Sequence, residues 1–150
     1  MAGRGGVYLS GWAAHHPEGR LTNDELVATL ATSHHWIESR IGIIERRIAG
    51  DETVAQLGAP ACRDALTSAG AAVDDIDLLI AAASFDDHDM PAAAARIASE
   101  LDATAFTFDV RAACSGWLVG VELAAALLET GRARQVLVCA AEKTTIGVDP

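Results

Sequence analysis

Basic residues are scarce in this chain. Its 150 residues hold 11 lysines and arginines against 21 aspartates and glutamates, for a formal net charge of −10 and a pI of about 4.7. A surface that acidic repels polyanions, so nucleic acid is excluded as a partner and unguided contact with anionic membranes is discouraged. No apolar run approaches the roughly 20 residues that span a bilayer. The first twelve residues, MAGRGGVYLSGW, lack the apolar core of a signal peptide, which makes the cytoplasm the expected location. Only three cysteines are present, widely spaced and odd in number. They form neither a disulfide framework nor a metal knuckle, and they suit a reducing compartment. Short-period repeats, low-complexity tracts and linkers are also missing, and the length is that of one domain, residues 1–150.

What is abundant is apolar material: 51% hydrophobic residues, much of it alanine, with a mean hydropathy of +0.23. Either the chain packs very tightly or part of its apolar surface serves a partner.

The segment FTFDVRAACSGWLVGVELAAALLETG, from Phe106 to Gly131, organises the rest. It opens as a short strand at Phe106–Val110 and becomes a helix that is apolar on nearly every face, the pattern of a helix lying inside a protein. Cys114 stands where strand hands over to helix, followed by Ser115 and Gly116. A thiol at a helix N-terminus feels the positive end of the dipole and free N–H groups, which favour thiolate. A free cysteine is otherwise a packed core thiol. The junction beside Ser-Gly favours the nucleophile at Cys114, whereas mid-helix Cys62 and mid-strand Cys139 read as core.

In chain order, Val7–Trp12 reads as a strand and Pro17–Gly19 as a turn. Thr22 caps a helix through Leu30, with Glu25 completing a capping box. Thr32 or Ser33 starts a second helical stretch, SHHWIESRIGI, which puts Trp36 and Arg40 on one face and ends at Gly42. Glu45–Gly50 reads as a loop or short edge strand. Thr53–Gly70 is an amphipathic helix with Val54, Leu57, Ala61, Ala65 and Leu66 inward and Gly70 as its stop. Ile76–Ala83 lacks alternation, as a central parallel strand buried on both faces would. Ser84–Asp89 reads as an acidic loop, and Pro91 as part of the first turn of a helix through Leu101. Gln135–Ala141 is a second buried strand, and Asp149–Pro150 lies in a loop. Alternating strands and helices with long connections predict an α/β fold around a mostly parallel sheet. Asp86, Asp87, His88 and Asp89 read as solvated rather than as a metal site, and no metal is expected. His15–His16 and His34–His35 read as surface pairs.

The segment DVRAACSGW resembles the active-site segment of β-ketoacyl-acyl carrier protein synthase III, in the thiolase superfamily. So do TNDELVATLATSHHWIESRIGIIERRIA, HDMPAAAARIASELDA, ARQVLVCAAEKTT and the final Asp149–Pro150, in register along the whole chain. The resemblance implies the N-terminal portion of a layered α-β-α-β-α thiolase-like fold, incomplete before its closing strand. It implies Cys114 as the acyl-accepting nucleophile. It also implies that Trp36 and Arg40 hold the adenine end of coenzyme A, with Thr32 nearby. Met90 falls where the family places an aromatic residue that caps the acyl pocket of the dimer partner, and Trp117 replaces a phenylalanine. Both changes bear on the acyl chain.

The implied reaction is acyl transfer from acyl-coenzyme A to Cys114, followed by condensation with malonyl-acyl carrier protein in fatty acid or polyketide biosynthesis. No resident cofactor is implied, since the coenzyme A thioester is the substrate. The implied partners are acyl-coenzyme A, an acyl carrier protein and a second copy in a homodimer. The family's His and Asn come from a second, duplicated half that this chain would require, so 150 residues alone are expected to be inactive. Two alternatives stay open: acyl transfer to a hydroxyl or amine of a secondary metabolite, and a non-catalytic interaction subunit.

Overall fold

A computed structural model describes residues 6–147; Asp149 and Pro150 lie outside the described residues. The chain forms two compact units, one of His16–Asp51 and one of residues 6–15 with 52–147.

The His16–Asp51 unit is a two-stranded antiparallel ribbon enclosing two helices. β1 (Gly19–Thr22) pairs with β2 (Glu45–Ile48), Gly19 opposite Ile48 and Thr22 opposite Glu45. α1 (Asn23–Thr29) begins at the expected capping box. The Thr22 hydroxyl accepts from the Glu25 amide at 3.3 Å, and the Glu25 carboxylate accepts from the Thr22 amide at 2.7 Å. α2 (His34–Ile41) is capped by Ser33, whose Oγ accepts the Trp36 N–H at 3.1 Å. It ends at Gly42, where φ of 69° is a conformation glycine adopts without strain. The buried Asn23 ties the unit together, donating to the Ile43 carbonyl at 2.8 Å and accepting from Arg46 at 2.6 Å. The expected turn at Pro17–Gly19 is shorter than read: Gly19 already pairs in β1, facing the Ile48 carbonyl where a Cβ would lie 2.4 Å away.

In the larger unit, α3 (Val54–Ala69) is capped by Thr53 with Gln56 and stopped by Gly70. After it come β3 (Leu78–Ala82), α4 (Ala93–Glu100), β4 (Phe106–Val110), α5 (Gly116–Glu129) and β5 (Val136–Ala140). The strands form a parallel sheet in the order β4-β3-β5, with Ile80 level with Phe108 on one side and Val138 on the other. β3 is buried at every residue. Leu79 and Ala81 pack with Val54, Cys62, Ile97 and Cys139, on the α3 and α4 face. Leu78 and Ile80 pack with Ala124 and Phe108 on the α5 face. That two-sided burial is why the sequence of β3 does not alternate. Each fully buried Leu79, Ile80, Ile97 or Val54 side chain contributes about 1.5–3 kcal/mol through apolar burial.

Five further expectations are corrected. Val7–Trp12 forms no strand, because nothing among the described residues pairs with it. It rests instead on α3 at Gly11, where a Cβ would lie 2.5 Å from the Ala65 carbonyl oxygen. Pro91 precedes α4, which starts at Ala93. Asp86 and Asp87 are not solvated: their side chains are 2% and 15% exposed and face the Arg96 guanidinium. Nor is α5 an interior helix within these residues. Gly116, Gly120 and Ala124 press it against the sheet, a Cβ at Gly120 lying only 3.0 Å from Val138. Trp117, Leu118, Val121 and Leu123 are exposed. β5 is an edge strand and only partly buried.

Candidate active site

The candidate site lies at the C-terminal ends of the three parallel strands. From Val110 the chain passes through Arg111 and Ala112 into a short 3-10 turn, Ala113–Ser115, and then into α5. Cys114 sits in that turn with its side chain exposed, while Cys62 and Cys139 are buried, as the sequence predicts. Ala113 has φ of 45°, a left-handed conformation that residues with a Cβ rarely adopt. Directly after it the buried Gly116 lets α5 start against Ala82, where a Cβ would be 3.1 Å from the alanine methyl. The turn is closed by Ser115, whose hydroxyl donates to the Ala112 carbonyl at 2.8 Å.

Side chains from neighbouring strands support this turn, and sequence reading assigned none of them. The Ala113 N–H donates to Ser84 Oγ at 3.1 Å. Ser84, just beyond β3, donates its own N–H to both oxygens of Glu142 at 2.9 and 3.0 Å, and the Phe85 N–H reaches Glu142 Oε2 at 2.6 Å. Glu142 lies two residues beyond the end of β5 and is exposed. Its only signal in the sequence is a carboxylate immediately after an apolar strand.

Met90 lies in the loop between β3 and α4 and is 83% exposed. That loop is held by Arg96, which bonds the Pro91 carbonyl at 3.1 Å and the Asp86 and Asp87 carboxylates. Partial burial opposes ionisation of Asp87, yet the Val54 N–H and the Arg96 charge outweigh it and hold its carboxyl down at about 2. The buried Cys62 thiol, further along α3, is pushed well above the ordinary range by its hydrogen bond with Cys139 and by desolvation. Such a thiol is inert as a nucleophile.

Thr32, Trp36 and Arg40 belong to the His16–Asp51 unit. Thr32 and Trp36 line one open cleft of about 700 Å³ with Leu26, Leu30, Ile37 and Arg46. Trp36 is 55% exposed there, an indole face free to stack. Arg40 lies one turn further on the same helix but does not line the cleft; Arg46 does. Sequence reading missed Arg46 because it lies on β2, away from the helical motif. His15, His16, His34 and His35 are exposed, and His34 lies 3.3 Å from Glu38 and 3.5 Å from Asp24.

Known proteins share this arrangement. The profile of 3-oxoacyl-(acyl-carrier-protein (ACP)) synthase III matches residues 108–150, from the second half of β4 past Glu142. A β-ketoacyl-(acyl-carrier-protein) synthase III of Acidiphilium cryptum is 42% identical over 136 residues, covering 89% of this chain and 42% of that protein. The crystal structure of the 3-oxoacyl-(acyl-carrier-protein) synthase III of Aquifex aeolicus superposes with a TM-score of 0.92 at 35% identity, over 96% of this chain and 47% of that one. The priming β-ketosynthase of the R1128 polyketide pathway superposes with a TM-score of 0.89 at 36% identity, over 95% of this chain and 43% of that one. The α/β architecture is thus the thiolase-like one that the sequence predicts. Over nearly its whole length the chain is similar to β-ketoacyl-(acyl-carrier-protein) synthase III proteins, and it spans about half the length of the relatives it matches.

Proposed function

We propose that this chain supplies the nucleophile of a ketosynthase III-type acyltransferase. The observation that carries the reading is Cys114. It is the exposed thiol of the three, on a turn between strand and helix, inside the segment that matches the family profile. In this reading the Cys114 thiolate attacks the thioester carbonyl of an acyl-coenzyme A. The carbon–sulfur bond to coenzyme A breaks, and its thiolate leaves and takes up a proton. Malonyl-acyl carrier protein then loses carbon dioxide, the resulting enolate attacks the acyl-Cys114 carbonyl, and the Cys114 thiolate departs. The His and Asn that assist decarboxylation come from protein beyond these residues, so residues 1–150 act as the N-terminal domain of the complete enzyme.

Trp36 stacks on the adenine of coenzyme A, with Thr32 beside it in the cleft and Arg40 meeting negative charge. Met90 caps the acyl pocket of a second copy in a cytoplasmic homodimer, and no resident cofactor takes part. Trp36 at the mouth of an apolar cleft supports the coenzyme A assignment.

Intact-mass spectrometry of the complete enzyme with acyl-coenzyme A tests the first step. The expected result is one acyl adduct that maps to Cys114 and is lost in Cys114→Ala. An adduct elsewhere, or none, overturns the reading. Arg40→Ala and Trp36→Ala should each raise KM for acyl-coenzyme A while leaving the condensation rate of pre-acylated enzyme nearly unchanged.

A further inference from the structure

The Ser84 and Glu142 contacts bring the ends of all three parallel strands to one point. Glu142 follows β5, Ser84 follows β3, and Ala113 follows β4. The β3–β5 ladder continues beyond its last paired residues, with the Ala141 N–H on the Ala82 carbonyl at 3.1 Å and the Lys143 N–H on the Phe85 carbonyl at 3.0 Å. Glu142 is therefore held between two backbone hydrogen bonds, and its carboxylate turns toward the β3 loop. There it accepts from two consecutive amides, Ser84 and Phe85. Charge-assisted bonds of this kind are about twice as strong as neutral ones. They fix the backbone of Ser84, and Ser84 Oγ in turn accepts the N–H of Ala113.

Ala113 is the residue that needs holding. Its φ of 45° is disfavoured by its own Cβ, and it immediately precedes Cys114. If Ala113 relaxes to an ordinary conformation, the Cys114 side chain leaves its place.

We propose that Glu142 is a positioning residue for Cys114, acting through Ser84 Oγ and the Ala113 amide. This rests on the reading of Cys114 as the acyl acceptor. Glu142 bonds the Ser84 and Phe85 amides rather than the thiol, and through them it sets where the sulfur points. A misplacement of the order of 1 Å costs about 100-fold in an oriented reaction, so removal of the relay should slow acylation strongly.

The test compares Glu142→Ala, Ser84→Ala and Ser84→Thr in the complete enzyme. Three quantities are read: the rate of Cys114 acylation by acyl-coenzyme A, KM for that substrate, and hydrogen exchange of the Ala113 amide. Glu142→Ala and Ser84→Ala should each slow acylation about 10-fold or more, leave KM little changed and speed Ala113 exchange. Ser84→Thr, which keeps the hydroxyl, should restore both. Ala113→Gly placed on Ser84→Ala should recover much of the rate, because glycine holds a left-handed conformation unaided. If Glu142→Ala does not fold, Ser84→Ala decides. Wild-type acylation and wild-type Ala113 exchange in a folded Ser84→Ala protein overturn the proposal. Failure of Cys114 to be acylated in the unsubstituted protein, with Ala113 exchange still speeded in the variants, overturns the functional reading and leaves the positioning intact.

Discussion

The carboxylate of Asp109, a residue of β4, accepts the amide N–H of Ala93 at the start of α4 at 2.8 Å, and that of Ala94 at the same distance. α4 has no side-chain cap of its own, since its N-cap is Ala92. A strand residue therefore supplies across the fold what Thr22 and Thr53 supply locally to α1 and α3. Asp109→Ala should destabilise the protein by about 1 kcal/mol, lowering the melting temperature by about 2–4 °C. Asp109→Asn, which keeps one acceptor oxygen, should lose less. Equal melting temperatures for all three proteins would show that the cap contributes nothing.

Cysteine reactivity should follow burial. Cys62 and Cys139 are 2% and 5% exposed and share a hydrogen bond, whereas Cys114 is open to solvent. Iodoacetamide near neutral pH should modify Cys114 first, with the other two reacting only once urea unfolds the chain. Peptide mapping that finds Cys62 or Cys139 labelled as fast as Cys114 under native conditions contradicts this.

Acid should loosen the loop that carries Met90. Asp87 has a folded-state pKa of about 2, below its ordinary 3.8. A depressed carboxyl stabilises the fold above the unfolded pKa, and the contribution disappears as pH falls through the folded one. The window is therefore from about pH 4 to about pH 2. Asp87→Asn should be less stable than the unsubstituted protein at pH 6, and the gap should close across that window. Urea denaturation at a series of pH values measures it; a gap that stays constant down to pH 2 is the contrary result.

The exposed face of α5 should make residues 1–150 self-associate when studied alone. Trp117, Leu118, Val121 and Leu123 present apolar surface to solvent, and Phe106 on the β4 edge is 72% exposed. Large apolar patches and bare sheet edges are uncommon on soluble monomers. Light scattering should report association at micromolar concentration, and Leu118→Lys with Leu123→Glu should reduce it. A monodisperse monomer with a sharp cooperative melt would contradict the expectation.

Local chemistry was legible from the residues alone. The capping box at Thr22, the stops at Gly42 and Gly70, and the non-alternating β3 all rest on interactions within a few residues, or on burial that a residue type reports directly. Cys114 at a strand–helix junction was legible for the same reason. The support around it was not. Glu142 lies 58 positions from Ser84, Ser84 lies 29 from Ala113, and Asp109 lies 16 from Ala93. No periodicity links such residues; only a parallel sheet with long crossovers brings their ends together. The misread segments have the same cause. Val7–Trp12 has strand composition but finds no strand to pair with among the described residues, and Asp86 and Asp87 look solvated until Arg96, on the following helix, folds back over them. Residue type and spacing decided which elements form and which thiol stands at a strand–helix junction. Tertiary structure decided what holds that thiol in place, because hydrogen bonds between strand ends exist only once the sheet has formed.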